Sequence, residues 1–130
     1  MNLEGRKIVL NKPVSEIVEL LKDPKNYEQL MPEGLQKFEA ISDGFKFALK
    51  GMPEIALKLG EINENKAILK SASSILEFEL STVLNAVSET QTEAQMFFEG
   101  KFNPFIKMMV EKPLQNFMGA LTDKIEQLYA

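Results

Sequence analysis

Apolar and polar positions follow three different rhythms along this chain, and each predicts a different kind of element. Leu3 to Leu10 reads as a short strand that ends at Asn11-Lys12-Pro13. Val14, Ile17, Val18 and Leu21 then recur at helical spacing, with Glu16, Glu19 and Lys22 on the other face. Pro13 suits the start of this helix, where its missing N–H would be unpaired anyway. Asp23-Pro24 ends it, because the residue before proline avoids the α region. Lys25 to Met31 forms one more short helical piece, closed by Pro32.

From Phe38 to Phe98 the period changes to two. Asp43-Gly44 predicts a two-residue hairpin that sets Phe38 opposite Leu49 and Ala40 opposite Phe47. A loop at Gly51-Met52-Pro53-Glu54 aligns Leu49, Phe47 and Phe45 with Ile55, Leu57 and Leu59. Asn63-Glu64-Asn65 brings Leu59 to Leu69, and Ser73-Ser74 sets Leu69 beside Phe78 and Ala67 beside Leu80. A turn near Glu89-Thr90-Gln91 places Leu84 against Met96 and Thr82 against Phe98. Every turn keeps the phase, which matters because a slip of one residue would invert each strand. One face is then apolar. The other carries Lys37, Glu39, Lys46, Lys50, Lys58, Lys70, Glu77, Glu79, Glu93, Gln95 and Glu99. This is an antiparallel meander that is wet on one side and needs a cover on the other.

The C-terminal segment supplies the cover. Pro104 to Tyr129 reads as one long helix with Asn103 as its N-cap. Its apolar positions Phe105, Met109, Leu114, Phe117, Met118, Leu121, Ile125 and Leu128 recur in steps of three and four, apart from one five-residue step near Pro113. Pro113 is expected to kink the helix. About 25 helical residues reach roughly 37 Å, enough to cross a small sheet. The expected architecture is α+β, one domain over residues 1–130. It has a strand, two short helices, six further strands making a curved antiparallel seven-stranded sheet, and a long terminal helix.

That order resembles the START-like superfamily, also called SRPBCC or helix-grip, which includes polyketide cyclase/dehydrase and lipid-transport proteins. Three stretches carry the resemblance. Asn11-Lys12-Pro13-Val14-Ser15-Glu16-Ile17-Val18 is similar to the family's loop and first helix. Asp23-Pro24-Lys25-Asn26-Tyr27-Glu28-Gln29-Leu30-Met31-Pro32 is similar to its helical pair, and Phe102-Asn103-Pro104-Phe105 to its last strand entering the final helix. The resemblance implies a cavity between sheet and long helix that takes apolar or amphipathic ligands.

Composition sharpens this expectation by what it removes. The 130 residues include no His, Cys or Trp. Ser-His-Asp and Cys-His triads, disulfides and the usual zinc sites are therefore unavailable. No glycine-rich phosphate loop or calcium-loop spacing occurs, so no cofactor or metal is called for. The formal net charge is −4, and of 15 basic residues only Arg6 is an arginine. Both features oppose nucleic-acid binding. No apolar run approaches the roughly 20 residues of a membrane span, and the N-terminus has no signal-like core, so stable membrane insertion is not expected and a cytoplasmic setting is.

The residues expected to line the cavity are Phe45, Phe47, Leu57, Phe78, Met96, Phe98, Phe105, Met109 and Phe117, with Ser71 and Thr82 as interior hydroxyls able to orient a headgroup. The plain alternative is that the aromatics fill a core and the hydroxyls bond to backbone. Glu54 and Glu111 are the carboxylates to test for burial, and Tyr27 is expected to pack with its hydroxyl at the surface. Lys107 and Lys112 fall on the exposed side of the long helix or beside the cavity mouth. Phe97 and Ile68 are apolar on the wet face, where they suit a weak homodimer contact. The expected function is noncatalytic binding or transport of a small hydrophobic or lipid-like molecule. The alternatives are a polyketide cyclase-like enzyme, with no catalytic residue assigned, and a protein-interaction module.

Overall fold

The computed structural model describes residues 1–50, 52–72 and 77–129. Strands β1 (Asn2–Glu4) and β2 (Ile8–Leu10) precede helix α1 (Val14–Lys22) and a 3-10 helix over Pro24–Leu30. Strands β3 (Leu35–Ile41), β4 (Gly44–Leu49), β5 (Ile55–Ile62), β6 (Lys66–Ser71), β7 (Glu77–Ala86) and β8 (Thr92–Lys101) follow, and helix α2 (Pro104–Leu128) ends the chain. The strands form one antiparallel sheet in the order β1-β8-β7-β6-β5-β4-β3, with β2 also paired to β8. The architecture is the expected α+β helix grip.

The N-terminal strand is two strands rather than one, and the reason is a bulge. Glu4 lies opposite Phe97 and Ile8 opposite Ala94, so Gly5-Arg6-Lys7 spans only Gln95 and Met96. The extra residue reverses the alternation, which lets Leu3, Ile8 and Leu10 share the inner face despite their odd spacing. The Gly5 N–H keeps contact with β8 by donating to the Met96 carbonyl at 2.7 Å.

The sheet keeps the expected phase throughout, but four of its five predicted registers are offset by two residues. Phe38 pairs with Phe47 and Ala40 with Phe45. Phe45 pairs with Leu57, Leu69 with Leu80, and Thr82 with Met96. Only Leu59 with Leu69 stands as expected. A two-residue shift leaves every side chain on its own face, so burial cannot distinguish the two registers. The first hairpin turns on Ser42 and Asp43, with Gly44 already paired to Ile41. Gly44 is needed for close approach rather than for a turn, because a Cβ there would overlap the Leu57 carbonyl oxygen. Of the expected loop Gly51-Met52-Pro53-Glu54, Gly51 lies outside the described residues, as does the expected turn at Ser73-Ser74.

Local chemistry fixes the helix starts. The Asn103 Oδ1 accepts the Ile106 N–H at 2.9 Å, capping α2, and the Asp23 Oδ1 accepts the Lys25 N–H at 3.0 Å at the 3-10 helix. Helix α2 crosses the inner face of the sheet and buries Val110, Leu114, Phe117, Met118, Leu121 and Ile125. Helix α1 and the 3-10 helix close one end of the same core with Ile17, Leu21, Tyr27 and Leu30. The outer face is charged, with exposed pairs such as Lys37–Glu54 at 2.8 Å and Lys58–Asp43 at 3.5 Å.

Candidate functional site

The space between sheet and α2 is largely filled, and aromatic rings fill it. Phe47 stacks on Phe117 with ring centres 4.9 Å apart, and Phe45 stacks on Tyr27 at 4.7 Å. Phe38 continues this column from the edge strand, 5.5 Å from Phe45. A second column joins Phe78 to Phe98 at 5.1 Å and Phe98 to Phe102 at 6.3 Å. Phe45, Phe47, Phe117 and Leu57 are fully buried, and Phe78 and Phe98 nearly so. Six of the expected cavity residues are thus brought together as packed core.

Tyr27 departs from expectation. It is buried, and its hydroxyl donates to the Leu21 carbonyl at 2.8 Å rather than reaching the surface. Burial pushes its phenol pKa well above the ordinary value of 10.0. The 3-10 helix carries the ring inward, so Tyr27 occupies volume that a ligand would otherwise take. Nothing in local sequence distinguishes this from a surface tyrosine, since the ring's stacking partner Phe45 comes from a distant strand.

Phe105 and Met109 do not line the interior. They are 72% and 59% exposed, and Met108 between them is 84% exposed. The helix turns a different stripe inward: Ile106, Val110, Leu114, Phe117, Leu121 and Ile125, in unbroken steps of three and four. The expected stripe had spliced two faces together, and its five-residue step from Met109 to Leu114 marked the join. Pro113 lies within α2 without ending it. Having no N–H, it leaves the Met109 carbonyl without its helical partner.

Among the described residues, the interior holds two neighbouring voids, each of about 10 Å³. One is lined by Ile8, Leu10 and Ile17, the other by Tyr27, Leu30 and Leu69, and both by Leu21, Thr82, Met96 and Ile125. Each is large enough for about one water molecule, whereas small-molecule pockets run to about 300 Å³ or more. Thr82 sits where the voids meet, and its hydroxyl bonds to no described residue. The other inward hydroxyls are engaged. The Ser71 Oγ accepts the Phe78 N–H at 3.0 Å, Thr92 donates to the Lys12 carbonyl at 2.9 Å, and Thr122 donates to the Met118 carbonyl at 3.0 Å. Ser71 therefore follows the plain backbone-bonding alternative, while Thr82 remains a candidate anchor.

The acidic candidates lie outside this interior. Glu54 is exposed, and its hydrogen bond from Lys37 holds its pKa below the ordinary carboxylate value. Glu111 is half-buried beside the proline, and Lys107 and Lys112 are exposed. On the outer sheet face Phe97 and Ile68 flank Ser81 in one cross-strand row, both half-buried. No helix among the described residues is long and apolar enough to cross a membrane.

With this geometry, solved structures of low sequence identity superimpose over nearly the whole chain. A START superfamily protein from Mycobacterium smegmatis matches with a TM-score of 0.66 at 14% identity, covering 98% of each chain. The chain has the START-like helix-grip fold. Norcoclaurine synthase from Thalictrum flavum, as a point mutant bound to a transition-state analogue, matches at TM-score 0.73 and 14% identity over 98% of this chain and 92% of that one. The di-domain ARO/CYC protein BexL of the BE-7585A biosynthetic pathway matches at TM-score 0.64 and 12% identity, over 97% of this chain and 46% of that one. No protein-family profile matches the sequence, and no curated protein matches it significantly. At these identities the shared property is the fold, which spans both ligand-binding and cyclising proteins.

Proposed function

We propose that this helix-grip protein binds a slender hydrophobic molecule without transforming it, held in the sheet–helix interior around Thr82. The observation that carries this reading is the pairing state of the inner hydroxyls: Thr82 alone among those described lacks a partner, and it lies at the meeting point of the two voids. The hydroxyl opens onto the voids, where a ligand donor or acceptor can engage it. Room for the ligand comes from two places. Met96 is flexible and lines both voids. The first turns of α2 are joined to the rest of the helix across the bond that Pro113 omits, so they yield at lower cost than the segment beyond it. Binding is favoured over a cyclase-like reaction because Tyr27, the buried ionisable group among the described residues, already donates its hydroxyl hydrogen to a backbone carbonyl and is held protonated by burial.

The small size of the voids favours a second reading, in which the chain serves as a protein-interaction module rather than a carrier. Thermal unfolding against a panel of medium- and long-chain fatty acids and small aromatic polyketides separates the two. The binding reading expects a saturable rise in Tm that Thr82→Val weakens. No rise with any member of the panel would leave the interaction reading standing.

A further inference from the structure

The outward face of α2 is apolar where a solvent-facing helix surface is ordinarily polar. Phe105, Met108 and Met109 share one face at i, i+3 and i+4, and they are 72%, 84% and 59% exposed. Further along that face the helix presents Lys112, Asn116, Gly119 and Asp123, all exposed and none of them a large apolar side chain. The core does not account for the three residues, because Ile106, Val110 and Leu114 already supply the inward stripe. Lysines surround them. Lys101, Lys107 and Lys112 take part in no ion pair among the described residues, and Glu111 is the one carboxylate between positions 101 and 113. Glu77 lies opposite Lys101 in the sheet, so the basic excess is the one net charge of Lys107 and Lys112 against Glu111.

We propose that this first stretch of α2 docks reversibly on an anionic phospholipid bilayer, with Phe105, Met108 and Met109 in the interfacial layer and Lys107 and Lys112 against the headgroups. Size and shape argue for a bilayer over a protein partner. Three such side chains offer on the order of 400 Å², about half of what one side of a standard protein interface buries. They project from the helix, so a protein partner would need a matching groove, whereas an interfacial layer accepts a protruding apolar face directly. A second copy of the chain is disfavoured by charge, since a two-fold pairing would bring two sets of lysines together. The chain's net charge of −4 does not forbid the contact. The acidic end of the helix, Asp123 and Glu126, is about 16 residues beyond Lys107, roughly 24 Å along the axis and more than two Debye lengths away at physiological salt. Docking is shallow and independent of what the interior holds, so it neither needs nor implies the ligand reading above.

The absence of tryptophan supplies the test. F105W gives the chain one tryptophan, at the N-terminal end of the patch. Its emission should shift to the blue with vesicles of phosphatidylcholine and phosphatidylglycerol, less with phosphatidylcholine alone, and the shift should fade as salt rises. The wild-type chain should co-sediment with the mixed vesicles. M108S/M109S should lower that partitioning by about tenfold or more while leaving Tm unchanged, because both side chains are exposed. K107E/K112E should abolish the preference for phosphatidylglycerol. Unshifted emission with no co-sedimentation at low salt would overturn the proposal, as would wild-type partitioning by M108S/M109S. Equal binding to phosphatidylcholine alone would overturn the anionic selectivity. A concentration-dependent dimer that M108S/M109S dissociates, without vesicle binding, would assign the patch to a second copy.

Discussion

Thr82 and Met96 stand directly opposite each other on β7 and β8, and both side chains border both interior voids. A hydroxyl without a described partner thus stands opposite an adaptable thioether, and with Leu21 and Ile125 the pair lines both voids. Met96→Ala enlarges both voids. The expected loss is about 2–5 kcal/mol of stability, the usual range for removing a large buried side chain. Part of that loss should return on adding a small apolar molecule such as indole, measured as a shift of the urea midpoint. An M96A protein as stable as wild type, or one indifferent to indole, would show that the site collapses instead. Thr82→Val should be close to neutral by itself, because it removes a hydroxyl that bonds to no described residue at nearly constant shape.

Tyr27 ties acid–base behaviour to packing. In the folded chain its phenol pKa is raised above 10.0 by burial, so the folded state keeps a proton that the unfolded state loses. Stability should therefore fall as pH rises above about 10, the ordinary tyrosine value. Tyr27→Phe should cost about 1 kcal/mol at neutral pH, through the Leu21 carbonyl left without its donor, and should flatten the alkaline fall. Denaturant titrations of both proteins across the alkaline range measure both effects. Tyr129 is also raised, by partial burial and then by Glu16, and leaves a smaller alkaline slope in the variant.

Arg6 clasps the N-terminal bulge to α2, with its guanidinium 2.7 Å from Asp123 and 2.8 Å from Glu126. The hydrogen bond from Arg6 lowers the Glu126 pKa below 4.5. Its contribution is present above that pH and is lost as pH falls through the lowered value. Arg6→Ala should therefore lower Tm modestly at neutral pH, and the gap to wild type should narrow below pH 4.5. A gap independent of pH would assign the effect to lost packing of the arginine stem. The groups are exposed, so a small shift is expected.

Gly44 tests the observed register. Only glycine allows β4 to approach the Leu57 carbonyl as closely as it does. Gly44→Ala meets backbone rather than a movable side chain and should cost about 3 kcal/mol or more, read from chemical denaturation. In the hairpin expected from sequence, turning on Gly44 itself, alanine would cost about 1–2 kcal/mol through a positive φ and meet no backbone clash.

Faces were legible in the sequence, and alignments between strands were not. Period-two alternation placed Phe45, Phe47, Leu57, Leu69, Leu80 and Phe98 inward without ambiguity. Yet a two-residue offset, as between Phe38–Leu49 and Phe38–Phe47, preserves every face and depends on turn length alone. The long helix shows the same limit differently. Treating Phe105 and Met109 as core required a five-residue step, and the better stripe through Ile106 and Val110 was present in the same residues. Tyr27 was illegible for another reason, because its burial depends on Phe45, which only the tertiary fold brings near.

Native mass spectrometry of the purified chain, with solvent extraction of whatever accompanies it, tests the binding account most directly. The account predicts one small amphiphile per chain, lost on extraction, at reduced occupancy in Thr82→Val. A bare chain mass in every preparation, unchanged after incubation with fatty acids and aromatic polyketides, would contradict it.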